Sequence, residues 1–248
     1  MMIDSGDETR SHTVLITGGS GGIGRALCLE FAHAGWQVGV HYLDRKAEAE
    51  RTVSLIIQDG GTSTTYQADI REAAQVDAMI NTFVATNGRL DVMICNAGIS
   101  SSRLLLRLST EEWENLIATN LSGTFHCLQA AGRHMLEQRY GTIIVVGSYA
   151  GVHGDVGQSA YAASKAGLLG LVKASALEWG TYNIRVNAVL PGWHQTGLVS
   201  AAMPDKPELE NHVLGRTPCL EEVAQSIFHL ATAQDISGQV WNLDSRLL

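Results

Sequence analysis

A single doubly wound parallel sheet of seven strands, with helices on both faces, is the α/β fold this 248-residue sequence predicts. Three observations predict it. Short apolar runs alternate with amphipathic stretches from end to end, as buried strands joined by helical crossovers do. A glycine-rich string separates the first run from the first amphipathic stretch, where such a sheet places its ligand-binding turn. The chain is 45% apolar and 17% charged, which suits one substantial core. It shows no repeat, low-complexity tract or linker that would divide it, so residues 1–248 read as one domain.

Strands are expected at 13–17 (TVLIT), 37–42 (QVGVHY), 63–67 (STTYQ), 90–94 (LDVMI), 142–147 (TIIVVG), 185–189 (RVNAV) and 240–243 (VWNL). Helices are expected between them at 22–34, 45–58, 71–86, 110–138, 159–180 and 220–232. Right-handed crossovers then put helices on both faces and ligands outside the carboxyl ends of the strands.

The balance of charge narrows the function. Net charge is −8 and the Lys and Arg residues are scattered, which speaks against a nucleic-acid partner. No apolar run approaches a membrane span. The polar, acidic start differs from a signal peptide, so residues 1–11 read as a flexible tail. Cys28, Cys95, Cys127 and Cys219 are far apart and lack metal-ligand spacing. They read as reduced thiols of a cytoplasmic protein, and no metal is expected.

Thr17-Gly18-Gly19-Ser20-Gly21-Gly22-Ile23-Gly24 closes the first strand and opens the first helix. Glycines there let the backbone turn tightly, approach a pyrophosphate and pack helix on strand. The free N–H groups and dipole of the helix start favour the phosphate charge, and the Ser20 hydroxyl can add a contact. A Rossmann-type dinucleotide site is the reading.

Tyr161 and Lys165 lie four residues apart in a helical stretch, on one face. A phenol ionises near pH ~10, too high for ready proton donation at neutral pH. A neighbouring ammonium is expected to lower that value and fit Tyr161 to protonate a carbonyl oxygen as hydride arrives.

Taken together these segments resemble the short-chain dehydrogenase/reductase family over nearly the whole chain. The likeness rests on Thr17-Gly18-x-x-x-Gly22-x-Gly24, Asn96-Ala97-Gly98, Asn120 in ATNLSGTF, Ser148, Tyr161 with Lys165, and Pro191-Gly192 with Thr196. It implies a catalytic set of Asn120, Ser148, Tyr161 and Lys165. Ser148 would orient the substrate carbonyl and stabilise its developing charge. Tyr161 would donate the proton. Lys165 would tune Tyr161 and hold the nicotinamide ribose, and Asn120 would position a proton-relaying water. Gly18, Ser20, Gly22, Ile23, Gly24, Tyr42, Arg45, Asp69, Ile70, Asn96, Ala97 and Gly98 are the cofactor positions on the first four strands. Pro191, Gly192, His194 and Thr196 would flank the nicotinamide.

Cofactor choice should rest on the second strand's end. An acidic residue at its tip would favour NAD, but the resemblance puts Tyr42 there, and Asp44, Arg45 and Lys46 follow. Arg45 suits a 2′-phosphate because its planar fork can make two hydrogen bonds. Gly21 stands where many NADP-using relatives carry Arg. NADPH is expected over NADH. Asp69, with Ile70, matches the position that touches adenine, and a helix N-cap is its plain alternative.

The nearest subgroup likeness is to the β-ketoacyl-carrier-protein reductases, carried by residues 96–113 and 148–161. It implies NADPH-dependent reduction of a β-ketoacyl thioester, in a homotetramer or dimer. An acidic carrier protein would dock on basic residues beside the mouth. Arg139 matches one such position, while the other carries Tyr182. A coenzyme A thioester or a small free ketone therefore stays open. So do another alcohol or ketone of sugar, steroid or polyketide type and a catalytically silent dinucleotide-binding subunit. The chain departs from the subgroup at Cys95, at His194 and at its end, where Asn242-Leu-Asp244-Ser245-Arg246 replaces Asp-Gly-Gly. Residues 193–218, with Pro204 and Pro207, read as a substrate lid offering Leu198, Val199 and Met203 to an acyl chain.

Overall fold

The computed structural model describes residues 11–192, 194 and 211–248. The first half alternates β1 (Thr13–Ile16), α1 (Gly22–His33), β2 (Gln37–Tyr42), α2 (Lys46–Gln58), β3 (Thr62–Gln67), α3 (Ala73–Asn87) and β4 (Val92–Cys95). The second half runs α4 (Thr110–Ile117), α5 (Gly123–Gln138), β5 (Gly141–Val146), α6 (Ala150–His153), α7 (Ser159–Trp179), β6 (Ile184–Pro191), α8 (Leu220–Thr232) and β7 (Val240–Leu243). Among the described residues the seven strands form one sheet in the order β3-β2-β1-β4-β5-β6-β7, every neighbouring pair parallel. The chain builds outward from β1 to β3, then returns to place β4 on the other side of β1. Between β1 and β4 lies the switch point where such sheets bind ligands.

The alternation of side chains builds a core on each face. Val14, Ile16, Val38, Val40 and Tyr42 pack with α1, α2 and α8 on one side. Leu15, Met93, Ile143 and Val145 pack with α3, α5 and α7 on the other. Buried on both faces, the central strands read as continuous apolar runs, which is why their positions were legible.

One expected element is divided. The stretch 110–138 reads as one helix, but a π turn at Ala118–Ser122 separates α4 from α5. α4 starts on a capping box in which the Ser109 hydroxyl accepts from the Glu112 N–H and the Glu112 carboxylate accepts from the Ser109 N–H. The turn's extra residue rotates Asn120 inward to full burial, the kind of local widening that recurs at functional sites. Gly123 follows because a Cβ there would stand 2.7 Å from Ile70 Cγ1.

Candidate active site

The glycine turn meets the Asn96-Ala97-Gly98 segment across the switch point. Thr17 Oγ1 accepts from the Asn96 and Ala97 N–H groups (2.9 and 3.0 Å) and donates to the Ile94 carbonyl (3.2 Å). Asn96 Nδ2 donates to the Thr17 and Gly18 carbonyls. Gly18 is left-handed at φ 67°, and a Cβ on Gly24 would stand 2.1 Å from the Gly18 oxygen, so these two positions demand glycine. α1 begins without a side-chain cap and without an acidic residue in its first turn. Among the described residues no acceptor takes the N–H groups from Ser20 through Gly24. Unpaired amides at a helix start, approached over side-chain-free glycines, fit a pyrophosphate.

The sequence reading missed His41. Its ring is buried on β2, with Nδ1 accepting from the Gly18 N–H (3.0 Å) and Nε2 facing the Ala68 carbonyl (3.0 Å). Burial pulls its pKa down to about 4, so the imidazole is neutral at physiological pH. Next to it, the Tyr42 ring is part of the core rather than the strand tip's surface. The exposed cation there is Arg45, without an ion pair among the described residues. Asp69 grips Arg71 through both oxygens, and that guanidinium holds its carboxyl below the usual carboxylate range. The N-cap position of α3 is Glu72, whose side chain makes no capping bond, and Asp69 stands three residues before it, so Asp69 is no helix cap. Ile70 is buried against Gly123.

Asn120, Ser148, Tyr161 and Lys165 converge beyond the carboxyl ends of β4 and β5. Asn120 is locked by its side chain: Oδ1 accepts from the Ile99 N–H (2.8 Å), and Nδ2 donates to the Ile99 carbonyl (2.9 Å) and Ser164 Oγ (3.1 Å). Ser164, also missed from sequence, donates to the Tyr161 carbonyl (2.7 Å) and so ties the π turn to α7. Gly98 leaves the space beside them open, since a Cβ there would stand 3.0 Å from Asn120 Oδ1 and 3.6 Å from Lys165 Nζ. The Ser148 hydroxyl lies close enough to the Tyr161 phenol to lower its pKa, and it accepts from the Ala150 N–H (3.2 Å).

One electrostatic expectation is corrected. Lys165 shares a helix face with Tyr161, but its Nζ donates to the Val146 carbonyl (2.8 Å) and stands 5.8 Å from the phenol ring's centre. Burial pushes the Tyr161 pKa up, partly offset by the neighbouring Ser148 hydroxyl, and lowers Lys165 to about 8. Spacing fixed the face; the ammonium's nearest acceptor is a backbone oxygen. At neutral pH Tyr161 is a protonated acid and Lys165 a buried cation.

On β6, Pro191 is buried, and a Cβ on Gly192 would strike the Asp244 carboxylate at 2.8 Å. His194 is buried, its Nε2 has no partner among the described residues, and burial lowers its pKa. Thr196 and most of the 193–218 segment, including Leu198, Val199 and Met203, lie outside the described residues. Where the segment returns, His212 Nδ1 stands 3.0 Å from Asp244 Oδ1. Arg246 Nε donates to Asp244 Oδ2 (2.6 Å), and its guanidinium covers the Tyr149 ring at 4.0 Å.

Arg139 is not beside the mouth of its own chain. It and Tyr182, whose ring it covers at 5.6 Å, precede β5 and β6, whereas Ser148 and Pro191 stand at the far ends of those strands. Parallel strands of six residues separate the two edges by about 20 Å.

Comparison with known proteins gives the family of the chain. The sequence profile described as short chain dehydrogenase matches residues 12–207. The 3-oxoacyl-[acyl-carrier-protein] reductase FabG of Staphylococcus aureus is 39% identical over 236 residues, covering 92% of this chain and 95% of that protein. The 3-oxoacyl-[acyl-carrier-protein] reductase of a Synechocystis species is 39% identical over 241 residues, covering 96% and 97%. FabG of Staphylococcus epidermidis is 38% identical over 233 residues, covering 92% and 96%.

Proposed function

The chain belongs to the short chain dehydrogenase family, as an oxidoreductase that uses a nicotinamide dinucleotide, and from that premise we propose that it reduces a β-ketoacyl thioester with NADPH. The observation that carries the reading is the gathering of Asn120, Ser148, Tyr161 and Lys165 at the carboxyl edge of the sheet, with the Tyr161 phenol held protonated by burial. A neutral phenol is the form a reductase needs at the start of turnover.

When bound, the dinucleotide supplies the hydride. The amides from Ser20 to Gly24 would hold its pyrophosphate, and the exposed Arg45 guanidinium would meet a 2′-phosphate. Ser148 donates a hydrogen bond to the substrate's keto oxygen, beside Tyr161. Tyr161 gives that oxygen its proton as the carbonyl carbon is reduced, leaving a phenolate. Lys165, a cation below pH ~8 by its burial, then stabilises the phenolate across the same helix face. Asn120 keeps the floor of the site rigid by its three side-chain hydrogen bonds.

The β-ketoacyl substrate rests on the named relatives. The position of Arg139 gives no reason for a carrier protein to dock at the mouth of the same chain, so a coenzyme A thioester remains the second substrate form. The test is NADPH oxidation with matched β-ketoacyl thioesters of carrier protein and coenzyme A. Turnover is expected with at least one, and Tyr161→Phe should lower kcat by about 100-fold or more while leaving dinucleotide affinity within about twofold. A chain that binds dinucleotide yet turns over no keto substrate would be a silent binding subunit instead.

A further inference from the structure

His41 is a buried ionisable group that the catalytic chemistry does not use. Two groups of one residue sort the amides of the glycine turn. The imidazole Nδ1 takes the Gly18 N–H at 3.0 Å, and the His41 carbonyl takes the Gly19 N–H at 2.9 Å. From the other side Asn96 Nδ2 donates to the Gly18 carbonyl. The Gly18 peptide is thus held at both ends, and the free amides begin at Ser20. The second ring nitrogen faces the Ala68 carbonyl, directly before Asp69 and Ile70. An N–H must face a carbonyl and a lone pair must face an N–H, so the two partners allow one state of the ring: neutral, with the proton on Nε2.

We propose that His41 is a positioning residue for the dinucleotide: its neutral Nε2–H imidazole fixes the Gly18 peptide so that the amides beyond it face the pyrophosphate, and joins that turn to the β3 end beside the adenine. The proposal rests on the dinucleotide reading of the glycine turn. A protonated ring would have no lone pair for the Gly18 N–H, and the two N–H groups would repel. Asp69 is the one charged group acting on the ring among the described residues, and Arg71 already engages it. Protonation therefore gains little from its surroundings.

Three substitutions separate the two ring contacts. His41→Leu removes both. His41→Asn keeps an oxygen near the Nδ1 position for the Gly18 N–H but does not reach Ala68. His41→Gln reaches toward Ala68 and leaves the Gly18 N–H unpaired. Dissociation constants for NADP+ and NAD+ are measured by titration calorimetry, with kcat at saturating cofactor and thermal unfolding alongside. Leaving the Gly18 amide unpaired should weaken both dinucleotides about tenfold in the Leu and Gln variants, while Asn stays within about threefold and kcat within about twofold in all. In the wild type, nitrogen NMR should show Nε2 protonated and Nδ1 bare from pH 8 to pH 5. Leu binding as tightly as wild type, Asn and Gln weakened equally, or a ring titrating near the ordinary histidine value would overturn the proposal. If Leu does not fold, the Asn and Gln pair still decides. Wild type that binds neither dinucleotide would sink the cofactor assignment along with it, whereas wild type that binds and variants that do not differ would sink this proposal alone.

Discussion

Two loops at the carboxyl edge of the sheet are held by opposite means. The glycine turn is held by the neutral His41 imidazole, one hydrogen bond on each side. The C-terminal tail is held by Asp244, a fully buried carboxylate contacted by Arg246 and His212, with the Arg246 guanidinium lying on Tyr149 beside Ser148. A neutral bridge pays little desolvation and loses about one hydrogen bond's worth when cut. A buried ion cluster is stable only when whole, because removing one partner strands a charge. The first arrangement suits a turn that must stay close to a charged ligand without competing with its field. The second ties His212, near the end of the 193–218 segment, to the tail, with the Asp244 carboxylate packed against Gly192.

The largest expected effect breaks the ionic side. Arg246→Ala should destabilise the protein by about 3–5 kcal/mol, lowering Tm by about 10 °C. Arg246→Met, which keeps the stem over Tyr149, should lose nearly as much, since the stranded Asp244 charge dominates. The double variant Asp244→Leu/Arg246→Met should recover much of the loss. Calorimetric unfolding of the three decides, and a small loss in Arg246→Met would make the stacking, not the charge, the important contact.

The neutral side breaks with acid instead. His41 titrates near the ordinary value when unfolded and at about 4 when folded. The unfolded chain therefore binds the extra proton first, and stability is lost as pH falls from about 6.5 through 4. The full loss is about 3 kcal/mol. Urea midpoints between pH 7 and pH 4.5 should fall more steeply in wild type than in His41→Asn. Parallel slopes would show that the ring is not the group being titrated.

Much of this contrast was invisible in the sequence. Strand positions followed from apolar runs buried on both faces, and the four residues that converge at the carboxyl edge, Asn120, Ser148, Tyr161 and Lys165, followed from ordered motifs. The π turn did not, because ATNLSG reads as ordinary helix and only the inward hydrogen bonds of Asn120 favour the wider turn. His41 was not legible because the groups at a strand tip that can read a ribose are exposed ones, while this ring points into the fold. Tyr161 and Lys165 were legible as a pair on one helix face. Which acceptor the ammonium takes depends on the Val146 carbonyl at the end of β5, a contact across 19 residues that spacing within a helix does not reveal.

Lys165 is an intermediate case, a buried cation satisfied by a carbonyl. With its pKa lowered to about 8, it loses its proton as pH rises past that value in the free protein. Reduction needs the cation to receive the Tyr161 phenolate, so kcat/KM should fall about tenfold per pH unit above pH ~8. Lys165→Arg, which stays charged, should lose that limb even if its overall rate is lower. A limb that persists in Lys165→Arg would belong to Tyr161 or to another group.

The smallest effect concerns a cation that no ion pair holds among the described residues. Arg45 is exposed at the start of α2 and spends no desolvation energy in either state, so what it contributes is a charge-assisted contact with a phosphate. Arg45→Ala should raise the dissociation constant of NADPH about fivefold and leave NADH unchanged. Because the contact is exposed, the NADPH preference of the wild type should shrink with added salt, and the variant's should respond less. His41→Leu, by contrast, should weaken both dinucleotides in equal proportion, since it acts on the pyrophosphate they share. An Arg45→Ala variant that loses NADH and NADPH equally would move Arg45 from reading the 2′-phosphate to supporting the turn, and the two sites would no longer be separable.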